Sequence, residues 1–260
     1  MNDIYYNQQD AAPVAEESAV NAFVAKVFGW MFIGLLATCL STVAIMMGIN
    51  ASDAFLTFID RLTSVVMIVF IAQVVIVWVV SARVAKMNPA AAILLYLIYS
   101  IVNGFTIGLF ALLLAGNMAT VGLALGVTSV SFGIMAVYGL VTKADVTKAG
   151  SLLRMALIGL ILITVLNVFL RNGALDFVIC IAGLFIFLGL TAYDTKKIKT
   201  YFAKAAVSRS VESEYPELTR AGLDQEALAS NLAIVGALML YLDFINMFLF
   251  ILRLINGGRR

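Results

Sequence analysis

Seven stretches of about twenty or more almost uncharged apolar residues divide this chain, and each is long enough to cross ~30 Å of hydrocarbon at ~1.5 Å of rise per helical residue. They cover 27–49, 62–82, 90–114, 118–141, 152–170, 174–193 and, within 228–255, the segment 232–255. Backbone inside a bilayer must satisfy its own hydrogen bonds, so runs this apolar are read as α-helix. Of the 260 residues, 63% are hydrophobic and 12% charged. Soluble domains have about 45–50% and about 25%, so the polar side chains here are too few to cover a surface facing water. The expected fold is all-α: a polytopic membrane protein built as a seven-transmembrane-helix bundle over 27–255.

Residues 1–26 are polar, with Asp3, Asp10, Glu16 and Glu17 ahead of the first apolar run, which is not the pattern of a cleaved signal peptide. They are read as a cytoplasmic N-terminal tail. The connections Ala115-Gly116-Asn117 and Arg171-Asn172-Gly173 are so short that the helices they join must be antiparallel neighbours. By contrast, 194–227 reads as a long, charged cytoplasmic loop containing Pro216, and 256–260 as a short tail. Placing the N-terminus inside puts all but five of the 17 Lys and Arg residues on the cytoplasmic side, which fixes the expected orientation. Three of the five, Arg253, Arg259 and Arg260, lie at or beyond the end of the last run; a re-entrant last segment would explain them. Gly104 and Gly108, Gly122 and Gly126, and Gly183 and Gly189 mark expected close helix contacts.

The chemistry is narrowed by what is missing. Histidine is absent, so a proton switch must use carboxylates. Cys39 and Cys180 lie mid-run without CxxC spacing and are read as small buried hydrophobes. A net charge of +2 exerts no general pull on nucleic acid. There is no glycine-rich phosphate loop, Ser/His or Cys/His pair, or HExxH, so neither an enzyme nor a resident cofactor is expected. Two aspartates on separate membrane helices also suit an intramembrane aspartyl protease, but the Gly-x-Gly-Asp motif of such proteases is lacking.

One acid lies well inside a run. It is Asp243 in Leu240-Tyr241-Leu242-Asp243-Phe244-Ile245-Asn246, with Asn246 and Gly236 on the same helical face. An ionised carboxylate there costs at least about 2.5–3.5 kcal/mol, so it is a functional candidate by default. Asp194, at the end of the sixth run, is the second candidate, unless it merely forms a solvated pair with Lys197. If the two helices pack together, the carboxyls contest one proton and make a pH switch. Their oxygens, with Asn246 or backbone carbonyls, also suit a hard cation such as calcium. Arg83, at the end of the second run, carries a fork that pairs well with a carboxylate; Arg83, Lys86 and Arg154 read equally as positive-inside anchors.

These residues resemble the Bax-inhibitor transmembrane family in its bacterial branch, from about 21 to 253. The resemblance rests on Leu190-Thr191-Ala192-Tyr193-Asp194-Thr195 with Lys197-Ile198-Lys199, on Leu240 to Leu249 with Leu252-Arg253, and on Tyr138-Gly139 followed by Thr142-Lys143-Ala144-Asp145. It implies a bundle whose last helix is surrounded by the others, in a bacterial inner membrane. It also implies a pH-sensitive calcium leak whose sensor falls on Asp194 and Asp243. Arg83 is the implied gating partner of Asp194, with Lys86 as rival, and Asn246 is a supporting residue. The stretch 200–225 is longer than the family pattern. Some bacterial relatives look instead like non-conducting modulators of a membrane-bound ATP-dependent protease, which would dock on the polar tail or the long loop. The implied partners are therefore membrane lipid, calcium and, on that second reading, a protease.

Overall fold

The computed structural model describes residues 3–51, 57, 73, 77, 87–115, 118–144, 147–203 and 225–257. Six long helices lie among them: α1 (Asp3–Ala51), α2 (Pro89–Ala115), α3 (Met118–Val141), α4 (Thr147–Leu170), α5 (Gly173–Lys197) and α6 (Gln225–Gly257). No strand occurs among the described residues. Each helix carries a stretch long and apolar enough to cross a membrane, with cores at Glu17–Ile45, Pro89–Gly108, Ala119–Val141, Ala149–Leu170, Gly173–Thr200 and Glu226–Gly257. Of the expected span 62–82 only Gln73 and Val77 are described, and Arg83 and Lys86 lie outside the described residues. The six-helix count therefore leaves that span out.

Three boundaries differ from those read in the sequence. α1 starts at Asp3, so the polar tail continues helically into the first span through Pro13, where a single backbone donor is missing. α5 does not stop at Tyr193: it carries Asp194 to Lys197 and continues as a π-helical turn, Ile198–Phe202. Burial sustains this extension, because Thr195, Ile198 and Ala203 are enclosed although the run of apolar residues has ended. The expected loop 194–227 is thus helical at its start, and 204–224 lies outside the described residues. α6 begins at Gln225, ahead of 232.

The chain divides into two compact units. In the unit of Met1–Gly104 with Lys197–Leu238, α1 and α2 are joined by hydroxyls that reach across to backbone carbonyls. Thr38 Oγ1 donates to Ser100 O at 2.9 Å, Ser41 Oγ to Ile101 O at 2.9 Å, Thr42 Oγ1 to Gly104 O at 2.8 Å and Tyr96 OH to Trp30 O at 3.0 Å. Lipid supplies no hydrophobic drive between helices, so such bonds and close backbone approach hold them together. Gly104 permits that approach: a Cβ there would overlap the carbonyl oxygen of Thr38.

The other unit, Phe105–Lys196 with Met239–Arg260, packs side chains around the second half of α6. Phe132 meets Phe244 edge-on with ring centres 5.6 Å apart, and Gly183 makes room for the Phe250 ring. Gly189 packs on Leu153. Gly122 and Gly126 do not behave as expected, since a Cβ at either would meet open space among the described residues. They lie on the outward face of α3, where small residues serve no contact.

Burial sorts the helices. Within its apolar core α6 is 67% buried, whereas α4 is 6% buried and presents Leu152, Met155, Ile158 and Phe169 outward. Cys180 is buried as expected, but Cys39 is exposed: it faces out of α1, where lipid is as apolar as a protein core.

Candidate functional site: a buried carboxyl pair

α6 holds Asp243 between Tyr241, Phe244 and Met247, all buried, and the aspartate itself is 4% exposed. Its Oδ2 is enclosed and has no hydrogen-bond partner among the described residues. Asp194, on α5, is 8% exposed, and the two carboxyls are close enough for the charge of one to act directly on the other. The solvated Asp194–Lys197 pair considered from spacing is therefore excluded on the Asp194 side, and the Lys197 amine lies over the Phe202 ring at 5.6 Å. Thr191 and Thr195 flank Asp194 but turn their protons back into the helix, donating to Phe187 O at 2.8 Å and Thr191 O at 2.7 Å. In hydrocarbon this satisfies each hydroxyl locally and leaves it no proton for the carboxyl.

The third motif packs against the same stretch of α5. Gly139 on α3 lies so close to α5 that a Cβ would overlap the carbonyl of Ala192 and crowd Thr195. Just past the end of α3, the Lys196 amine donates to Ala144 O. Tyr193 packs on Gly150 of α4. Gly139 and Ala144 of this motif thus frame the helix that bears Asp194; Asp145 lies outside the described residues.

Of the other candidates, Asn246 donates its amide to Leu242 O, one turn back on its own helix, at 2.7 Å. Arg83 belongs to a segment outside the described residues. No group of three or more acids, cysteines or histidines that could hold a metal occurs among the described residues. With two carboxyls alone, a cation would have to complete its shell from water and backbone oxygens.

Two polar contacts went unread in the sequence. Arg253, near the C-terminal end of α6, pairs with Asp176 in the first turn of α5, and its guanidinium lies 6.0 Å from the Phe250 ring. One of the three arginines that broke the charge bias is thereby paired, within a continuous 33-residue helix. The other contact is a hydrogen bond from Asn231 to Met87 O. Arg253 had been counted as an outside charge and as part of the Leu252-Arg253 motif, without a partner; for Asn231 an asparagine in an otherwise apolar helix was the available signal.

Several helices long and apolar enough to cross a membrane define the class: a polytopic α-helical integral membrane protein. The family model described as inhibitor of apoptosis-promoting Bax1 matches residues 20–260, and the chain belongs to this Bax inhibitor-1-like family. It is 34% identical over 247 residues to the inner membrane protein YbhL of Escherichia coli, covering 95% of this chain and 96% of the relative. An uncharacterized protein of Borreliella burgdorferi is 34% identical over 240 residues, covering 92% and 93% of the two chains. An uncharacterized membrane protein of Streptococcus pyogenes is 29% identical over 265 residues, covering 98% of each.

Proposed function

We propose that the protein is a pH-sensitive calcium leak of a bacterial inner membrane, with no enzymatic role, gated by Asp194 and Asp243. The observation that carries the reading is the pair itself: two carboxyls from different helices in one enclosed site, with Asp243 Oδ2 unpaired among the described residues. Two like charges in a water-poor interior repel strongly, so one shared proton holds α5 and α6 together. When both acids are ionised, the site either loosens or recruits a cation. Carboxylate and carbonyl oxygens suit calcium better than a softer metal. Arg83 is the proposed partner of Asp194, in the segment leading to Met87. The lysine and arginine distribution supports a cytoplasmic N-terminus, and the family relationship to an inner membrane protein supports the location.

The test is calcium efflux from proteoliposomes across a pH series, for wild type, Asp194→Asn and Asp243→Asn. The reading requires proton-dependent flux in the wild type and its loss in both variants. A pH response retained by both would reject it.

A further inference from the structure

One face of α5 carries Asp176, Cys180, Gly183, Phe187, Leu190 and Asp194, spaced three or four residues apart and so in line along the helix. On α6, Asp243, Met247 and Phe250 form a second line, with Arg253 one turn further on. Both lines belong to one compact unit, Phe105–Lys196 with Met239–Arg260, and they meet along their length in opposite order. Asp194 acts on Asp243, the Phe187 and Phe250 ring centres lie 6.0 Å apart, Gly183 meets the Phe250 ring, and Asp176 pairs with Arg253. The seam between α5 and α6 thus has carboxyls at one end and an ion pair at the other. Between these ends the two lines present only carbon and sulfur.

Phe187 precedes Asp194 by seven residues and Phe250 follows Asp243 by seven, so both rings stand about two turns, roughly 10 Å, from the acids. Gly183 sets the Phe250 ring in place. It is buried, and a Cβ there would lie 2.5 to 2.8 Å from three carbons at the tip of that ring, so the ring fills the notch a side chain would take. The Arg253 guanidinium lies 6.0 Å from the centre of the same ring and is itself held by Asp176. Phe250 is therefore fixed from both helices. A hydrated cation needs an oxygen for each water it sheds, and two phenyl rings supply none, so the seam stays closed to ion and water while the rings are in contact.

We infer that Phe250, seated in the Gly183 notch, is the apolar seal of the leak, closing the α5–α6 seam between the Asp194–Asp243 site and the Asp176–Arg253 end. The inference rests on the reading above, in which the two acids govern conduction, and adds where the ion is stopped beyond them. The far end of the seam fits this role. Asp176 offers a carboxylate whose side chain is 40% exposed, and Arg253 is a tethered cation standing where a permeating one would sit. Opening requires only that the ring leave its notch, a change of side-chain rotamer that breaks no backbone hydrogen bond.

The experiment uses the full chain in proteoliposomes with Cys39→Ala, which leaves Cys180 as its one thiol. Cys180 is buried, three residues from Gly183 on the seam and within electrostatic reach of Asp176 and Arg253, so its reaction with a charged methanethiosulfonate reports water in the seam. Thiol modification and calcium efflux are read for this parent, for Phe250→Ala and for Gly183→Ala, whose added methyl displaces the ring. Each substitution should raise both rates roughly tenfold, about what the loss of one half-buried phenyl contact allows. Adding Phe250→Leu to Gly183→Ala removes the ring carbons that the methyl meets and should return both rates toward the parent's. If Phe250→Ala does not fold, Gly183→Ala and its double variant carry the test. Equal modification rates in the parent and the folded variants would overturn the seal. Faster modification with unchanged calcium efflux would overturn the route along this seam. A parent without proton-dependent efflux would bring down the underlying reading, and the thiol rates would still decide whether Phe250 closes the seam.

Discussion

Asp243 on α6 and Asp194 on α5 occupy one interior site, each less than a tenth exposed and each within electrostatic reach of the other. In the proposed reading the two acids titrate as a unit, because ionising one raises the cost of ionising its neighbour. Flux through a leak governed by the pair should change by up to about tenfold per pH unit, the limit for one shared proton. Asp243→Asn and Asp194→Asn should each flatten this profile, as read by calcium efflux from vesicles across a pH series.

The same site should be a stability liability. Asp243 keeps an unpaired, enclosed oxygen among the described residues, and removing an unsatisfied polar group relieves about 1–3 kcal/mol. Asp243→Leu is therefore expected to raise the thermal midpoint in detergent while abolishing proton-dependent flux. A lowered midpoint would show that the carboxyl is structurally required.

Glycine substitutions should separate contact from exposure. At Gly104 a new methyl meets the backbone of Thr38, which cannot swing aside, so Gly104→Ala should cost on the order of 1–3 kcal/mol. At Gly122 the methyl enters open space, and Gly122→Ala should be neutral or stabilising by up to about 1 kcal/mol through helix propensity. Denaturation of both variants in one detergent makes the comparison.

The Asp176–Arg253 pair is partly exposed, its side chains retaining 40% and 29% of their accessible surface. A pair this wet contributes about 0–1 kcal/mol. A double-mutant cycle on Asp176→Asn and Arg253→Gln should find coupling within that range, falling as salt is raised.

Arg171 adopts φ 50° in the turn between α4 and α5, the left-handed conformation in which a Cβ is strained. Its amide still closes the end of α4 by donating to Asn167 O at 2.8 Å. Arg171→Gly should keep that bond and stabilise the protein by about 1 kcal/mol, measured as a shift in thermal midpoint.

Much of the candidate site could be read in advance. A lone acid in an apolar run is so unfavourable that Asp243 identified itself, and the Leu190–Thr195 motif directed attention to Asp194. Spacing alone could not decide whether Asp194 was solvated, since that depends on the continuation of α5 into the π-helical turn and on the burial of Thr195 and Ile198. Gly122 and Gly126 misled for a related reason. Their spacing is that of a contact helix, but small residues carry no label for which face meets a neighbour.

The sequence by itself determined that the chain lives in a bilayer as long helices, because hydrocarbon leaves an apolar backbone no other way to satisfy its hydrogen bonds. It also determined which acids had to be explained, because charge is costly wherever water is scarce. Only the tertiary structure decided what those groups meet. Asp194 lying within electrostatic reach of Asp243, Arg253 pairing with Asp176 and Asn231 bonding to Met87 all join residues far apart in the chain. Such contacts depend on how helices are set against one another, and in a membrane, where every helix is apolar on most sides, hydrophobic periodicity does not encode that setting.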